Sequence, residues 1–264
     1  MPEKEIILKH FNDISTKYDE NNKKLYWKLA DDLLWEIIKK YIPRNKSITF
    51  LELGAGTGEW AYKILKEFDN TRCVLVDFSY NMLSQAELKL EKFKDRVKII
   101  NSDIKNLKFD EQFDIILNIY VLPFFDSADK LIEIVSSHLK SKGISISVGE
   151  NFYNALALNI LKGNSSEVKN VVEKEIGALS QYVPQLHFNK IDELEKIHKN
   201  HDIMPIFKCG YPIVSLIVVE ETLTSNKNTI SKILVDNYDY IFNIEMQYIQ
   251  NEDLCNRGKY ICIV

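Results

Sequence analysis

The segment Leu51-Glu52-Leu53-Gly54-Ala55-Gly56-Thr57-Gly58 is where residue type and spacing first point to chemistry, because it holds three of the nine glycines in the chain. Glycine permits a tight turn and lets a ligand approach the backbone, and the first N–H groups of a following helix have no intrahelical acceptor. Two acids recur at comparable places downstream, Asp77 in Cys73-Val74-Leu75-Val76-Asp77 and Asp103 in Asn101-Ser102-Asp103-Ile104. A carboxylate at Asp77 could accept from both hydroxyls of a ribose. One at Asp103 could accept from an adenine amino group while the Ile104 N–H donates to a ring nitrogen. A dinucleotide fingerprint would read G-x-G-x-x-G. Here the third glycine comes one residue early and Glu59 takes its place, where a carboxylate would repel a pyrophosphate. Glu52 adds further negative charge, which suits a cationic ligand. Asp77 alone fits a nicotinamide dinucleotide equally well, so an NAD(P)-dependent oxidoreductase stands as the alternative.

The elements that must position these residues follow from apolar periodicity. Residues 4–19 and 22–41 carry helical spacing, and Pro43 ends the second stretch. Residues 47–53 read as a buried strand running into the glycines. Beyond it, helices over 59–68, 81–93 and 128–139 alternate with strands over 73–77, 97–101, 113–117 and 144–148. Short apolar strands alternating with helices predict a doubly wound, Rossmann-like α/β fold, with a mostly parallel sheet covered on both faces. The alternation stops after Glu150. Residues 152–180 read as polar helix interrupted at 163–166, and 191–199 as another helix. Apolar runs over 203–209 and 213–219, a helix over 227–250 and a strand over 259–264 complete the chain. The expected organisation is an N-terminal helical cap (1–44), a ligand-binding α/β core (45–150), a helical lid insertion (151–200) and C-terminal strands and a helix completing the core (201–264).

Composition narrows the class of partner. The 264 residues are 45% hydrophobic and carry 34 basic against 38 acidic side chains, for a formal net charge of -4. That balance argues against a nucleic-acid partner, and the lysines of 89–98 are interleaved with Glu91 and Asp95, as on a solvated helix face. No stretch approaches the ~18 apolar residues of a membrane span. The N-terminus lacks the apolar run of a signal peptide, so a cytoplasmic location is expected. Cys73, Cys209, Cys255 and Cys262 show no metal-type or redox-type spacing. They are expected to be reduced, buried thiols, and no metal is expected.

Taken together, LELGAGTG at 51–58, VLVD at 74–77, the Ser102-Asp103 pair and FDIILNIYVLPFF at 113–125 resemble the class I S-adenosylmethionine-dependent methyltransferases. FNDISTKYDE at 11–20 is similar to the F-D-x-x-A-x-x-Y-D opening of their small-molecule branch, with Asn12 and Ser15 where Asp and Ala are usual. The resemblance covers residues 10–150. It implies S-adenosylmethionine as cofactor. Glu52 and the backbone at Gly54, Ala55 and Gly56 would hold the methionine part, and Asp77 the ribose. Phe78 would lie against the adenine, with Asp103 and Ile104 at its edge. Asn118 and Ile119 would line the sulfonium region through backbone groups, and Tyr18 would close over the cofactor.

Methyl transfer from a sulfonium needs alignment more than functional-group catalysis, so the sequence need not show a catalytic triad. A base is required only for an acceptor that arrives protonated. Tyr18, Tyr182 and His187 are the candidates for chemistry at the acceptor. Trp27, Tyr120, Phe124, Tyr153 and Tyr182 are the candidates to enclose it, around an apolar body or a cationic amine. Asn118-Ile119-Tyr120-Val121 lacks the prolines of the Asn/Asp-Pro-Pro-aromatic turn that nucleic-acid amino-methyltransferases carry. The expected acceptor is therefore a small molecule or modified peptide of secondary metabolism, methylated at nitrogen or oxygen. A cofactor-binding interaction module without turnover is the reading outside enzymes.

Overall fold

The computed structural model describes residues 3–21, 25–178, 185–213 and 235–264. Helix α1 (Glu3–Ile14) and the single turn α2 (Tyr18–Asn21) are separated by a 3₁₀ turn over Ser15–Lys17, so the helix expected over 4–19 is broken in the middle. Helix α3 (Leu25–Tyr41) follows. Strands and helices then alternate as β1 (Ile48–Leu53), α4 (Glu59–Glu67), β2 (Thr71–Asp77), α5 (Tyr80–Leu90), β3 (Val97–Asn101), β4 (Phe113–Ile119), α6 (Ala128–His138) and β5 (Leu139–Glu150). Helices α7 (Phe152–Leu161) and α8 (Ser165–Lys174) lead to the two-residue strands β6 (Ile176–Gly177) and β7 (Leu186–His187). Helix α9 (Ile191–Asn200), β8 (Lys208–Tyr211), α10 (Tyr238–Tyr248) and β9 (Tyr260–Ile263) complete the described elements. The helical reading of 152–180 fails at its end, because Glu175 enters the left-handed region at φ 56° and stops α8. Most of the run over 213–219, and residues 227–234 of the helix expected over 227–250, lie outside the described residues.

Seven strands form one sheet in the order β3-β2-β1-β4-β5-β9-β8. The first five are parallel, and β9 runs antiparallel to both β5 and β8. This is the doubly wound, mostly parallel sheet expected from the alternation. The strand order reverses between β1 and β4, and in open α/β sheets a ligand crevice opens at such a point, beyond the carboxyl ends of the strands.

Side-chain parity decides what each strand gives to each face. Phe50, Leu75, Leu117, Val148 and Cys262 point to the layer of α3, α4 and α5. Leu51, Leu53, Val74, Val76, Ile116 and Ile261 point to the layer of α6 and α9. Both layers are largely apolar, which explains why the strands read as nearly continuous apolar runs. The four cysteines are free and buried. Among the described residues no helix is long and apolar enough to cross a membrane, and no group of three His, Cys, Asp or Glu residues could hold a metal ion.

Candidate active site

A cavity of about 440 Å³ lies at the carboxyl ends of β1, β2 and β4, a size typical of small-molecule sites. Its floor is the glycine loop. Gly54, Gly56 and Gly58 all adopt positive φ, at 66°, 53° and 71°, which side chains on L residues disfavour. The three serve different ends. A Cβ on Gly54 would sit 2.5 Å from Val121 Cγ2, so this position lets the loop pass close to the turn after β4. A Cβ on Gly58 would crowd Ala86 and Leu90 of α5 at 3.1 Å. A Cβ on Gly56 would meet no protein atom within 4 Å. The exposed backbone of Gly56 therefore faces cavity space.

The two strand-end acids flank this loop. Asp77 is 6% exposed, and its carboxylate accepts from the Gly56 N–H at 2.9 Å and the Ser79 N–H at 2.8 Å. Burial pushes its carboxyl above the usual range against these backbone donors. It lines the cavity, with acceptor lone pairs to spare for ribose hydroxyls. Asp103 accepts from the Lys105 N–H at 2.9 Å and pairs with the ammonium of Lys4 on α1. Burial opposes its charge, but Lys4 and the Lys105 N–H outweigh burial and hold the carboxyl below its usual range. Phe78, Ile104, Ile119, Phe124 and Tyr18 line the space between these acids. Phe11 contacts three of the rings edge-on, with centroids 6.4 Å from Phe78, 6.5 Å from Tyr18 and 5.4 Å from Phe124.

Polar contacts seat α1 and α2 over this region. Ser79 Oγ donates to Asn12 Oδ1 at 2.7 Å, and Ser15 Oγ donates to the Asn12 carbonyl at 3.0 Å. Of the two departures from the family opening, Asn12 thus helps dock this segment on Ser79, while Ser15 closes the turn within it. Thr57 Oγ1 donates to Asp19 at 2.6 Å, and Lys89 on α5 pairs with both Asp19 at 2.8 Å and Glu59 at 2.9 Å.

The far half of the cavity is lined by Trp27, Asp31, Trp60, Tyr120, Glu150 and Tyr260. Tyr120 has φ 60°, rare for an aromatic residue and a local strain of the kind found at functional sites. Its ring lies 4.7 Å from that of Tyr260, which is 6.2 Å from Trp27. Asp31 stands one helical turn from Trp27, and burial above all raises its carboxyl to about 7, with Lys63 opposing. Glu150 ends β5 directly opposite Tyr260 in the ladder, and burial raises its carboxyl against the pull of Lys259. The sequence reading missed both acids. One Asp on a regular amphipathic helix gives no signal, and only the fold shows that Glu150 ends a strand at the cavity.

Gly54, Ala55, Gly56, Asp77, Phe78, Asp103, Ile104, Ile119, Tyr18, Trp27, Tyr120, Phe124 and His187 are brought together in this lining. Three expected residues are placed elsewhere. Glu52 shares parity with Phe50 and is 2% exposed beneath the loop, where its carboxylate accepts from the Ala61 N–H of α4 at 3.1 Å. Burial raises it to about 8, partly opposed by that N–H. Asn118 shares parity with Ile116, so its side chain enters the opposite layer and donates to Ser147 Oγ at 2.8 Å, which contacts His198 Nε2 at 3.0 Å. Tyr153 is 45% exposed on α7 and does not line the cavity. Tyr182 lies outside the described residues.

The residues present fit S-adenosylmethionine. The open backbone at Gly56, the buried Asp77 carboxylate beside it and the Phe78–Ile104 surface have the chemistry that could receive its methionine, ribose and adenine parts. Glu59, in contrast, stands in the lining where a pyrophosphate would meet its charge. The sequence model of a methyltransferase domain matches residues 50–143. A malonyl-[acyl-carrier protein] O-methyltransferase of Priestia megaterium is 26% identical over 200 residues, which are 75% of this chain and 68% of that enzyme. The chain spans about half the length of further curated relatives of that name. An uncharacterised protein of Methanocaldococcus jannaschii is 30% identical over 175 residues, covering 61% of this chain and 78% of that one. The crystal structure of an S-adenosylmethionine-dependent methyltransferase from Clostridium acetobutylicum superposes with a TM-score of 0.53 at 18% identity, over 74% of this chain and 90% of the other. Sheet order, glycine loop, strand-end acids and relatives agree: the chain belongs to the class I S-adenosylmethionine-dependent methyltransferases.

Proposed function

We propose that the protein transfers a methyl group from S-adenosylmethionine to a nitrogen or oxygen of a small molecule or modified peptide, in secondary metabolism and in the cytoplasm. The observation that carries this reading is the continuity of one cavity from the Asp77–Asp103 end to the Trp27–Tyr120–Tyr260 end. One end offers hydrogen-bond acceptors to a nucleoside, and the other offers aromatic walls to an acceptor. S-adenosylmethionine supplies the activated carbon when bound. The chain's own work is positional. Gly54 and Gly56 bring backbone to the cofactor, and Asp77 fixes the ribose. Asp103 reads the adenine edge in exchange for Lys4. Tyr18 and the α1–α2 segment exclude water from above. Tyr120, held in its strained conformation, sets the wall that aligns the acceptor, and His187, which lines the same cavity as His10, is the candidate base for an acceptor that needs one. Incubation with methyl-labelled S-adenosylmethionine and fractionated metabolite extract tests the reading. Labelled product that falls with Asp77→Ala at subsaturating cofactor is expected, whereas binding without labelled product in any fraction would favour a non-catalytic binding module.

A further inference from the structure

Four observations concern the acceptor half of the cavity. First, its walls combine the indole of Trp27 with the phenol rings of Tyr120 and Tyr260, within 6.2 Å and 4.7 Å of one another as the centroids run. Second, the two acids in this half, Asp31 and Glu150, receive no hydrogen bond and no ion pair at their carboxylates from any described residue, unlike Asp77, Asp103 and Glu59. Third, both line the cavity beside this aromatic group. Asp31 is one turn along α3 from Trp27, and Glu150 is cross-strand from Tyr260. Fourth, these rings already hold an ammonium, since Lys259 Nζ lies 4.4 Å from the Trp27 centroid and 4.7 Å from that of Tyr260. Both acids are half-buried in the cavity wall, where a carboxylate without a donor favours a cation that completes it.

We infer that Asp31 and Glu150, with Trp27, Tyr120 and Tyr260, form the recognition box for a basic amine, and that the methyl acceptor is the nitrogen of that amine. The inference rests on the methyltransferase reading and names its substrate class. An ammonium would satisfy both carboxylates by charge-assisted hydrogen bonds and lie against ring faces. A carboxylate acceptor would meet two acids of its own sign. The step balances as follows. The bound ammonium gives one proton to a box carboxylate, which passes it to solvent. The freed nitrogen lone pair forms the N–CH₃ bond as the S–CH₃ bond breaks and leaves its electron pair on sulfur. The products are a methylated ammonium and the neutral thioether.

Calorimetry on the protein saturated with S-adenosylhomocysteine tests this with three probes, phenethylamine, 4-ethylphenol and malonyl-N-acetylcysteamine thioester, followed by methyl-transfer assays with each. Phenethylamine is expected to bind and be methylated at nitrogen. Its affinity should fall about tenfold or more in Asp31→Asn and in Glu150→Gln, the loss of a hydrogen bond to a charged group. S-adenosylhomocysteine affinity should stay within about twofold of wild type in both, which also reports that each variant is folded. Trp27→Leu should weaken the amine in the same selective way. Methylation of the malonyl thioester or the phenol in preference to the amine would overturn the inference while leaving the methyltransferase reading standing. So would the absence of amine binding, or an amine affinity indifferent to both substitutions. Failure of the unmodified protein to bind S-adenosylhomocysteine would remove the reading beneath it.

Discussion

Substituting the loop glycines one at a time separates backbone strain, packing and ligand contact. Gly56 has φ 53° and open space where a Cβ would go. Gly56→Ala therefore carries only the left-handed backbone cost, ~1–2 kcal/mol. In a domain of this size that lowers Tm by roughly 2–4 °C per kcal/mol. The added methyl stands in the ligand's space, and overpacking of ~1–3 kcal/mol there raises the S-adenosylhomocysteine Kd by about 5- to 150-fold. Gly54→Ala carries the same backbone cost and adds a clash, with its Cβ only 2.5 Å from Val121 Cγ2. Its stability loss should thus exceed that of Gly56→Ala by ~1–3 kcal/mol. Val121→Ala in the Gly54→Ala background removes the overlapping methyl and should recover part of that difference, but not the backbone term. Thermal melts and calorimetry on the four proteins read these quantities. An unchanged Kd in Gly56→Ala would show that this backbone does not face the cofactor. A Gly54→Ala variant no less stable than Gly56→Ala would refute the close-approach argument.

Three further outcomes follow from the same geometry. Asp77→Ala should weaken S-adenosylhomocysteine binding by ~1–3 kcal/mol, as expected for hydrogen bonds to a charged acceptor, and an unchanged Kd by calorimetry would remove the ribose assignment. Glu52 carries a carboxyl raised from 4.5 to about 8, so the sign of its linkage is fixed. Below the unfolded value both states are protonated, and as pH rises toward 8 only the unfolded state ionises, draining stability. Glu52→Gln should therefore gain stability relative to wild type as pH goes from 5 to 8 in denaturant titrations, and a gain that shrinks over that range would contradict the assignment. Lys89→Ala removes the cation shared by Asp19 and Glu59. Hydrogen exchange in residues 3–21 should speed up by about tenfold or less, for a loss of ~1 kcal/mol; unchanged protection there would show that Lys89 does not anchor this segment.

The sheet and the convergence of the glycine loop with the strand-end acids on one cavity were legible because residue type alone encodes them. Positive φ requires glycine at 54, 56 and 58, and a strand ending in an acid beside such a loop has few structural uses. Parity was the first thing the sequence reading neglected. Glu52 sits at the right height in the sheet for the cofactor, but strand alternation turns its side chain into the helical layer, to the Ala61 N–H. The second was convergence from distant elements. Asp31 and Glu150 share a wall only because α3 packs over the end of β5 and β9. The left-handed backbone of Tyr120 was also invisible, since no residue type announces strain on an aromatic residue. Asn12 and Ser15 illustrate the converse. They looked like departures from a pattern, yet Asn12 anchors α1 on Ser79 and Ser15 closes the turn after α1 through the Asn12 carbonyl.

The central claim is that this cavity holds a sulfonium nucleoside through Asp77 and the glycine loop. Calorimetric titration of the full chain with S-adenosylmethionine, S-adenosylhomocysteine and NADH tests it most directly. The account predicts one site per chain for the two sulfur compounds, weakened by Asp77→Ala, and no heat from NADH. Binding of NADH with no response to either sulfur compound would contradict it.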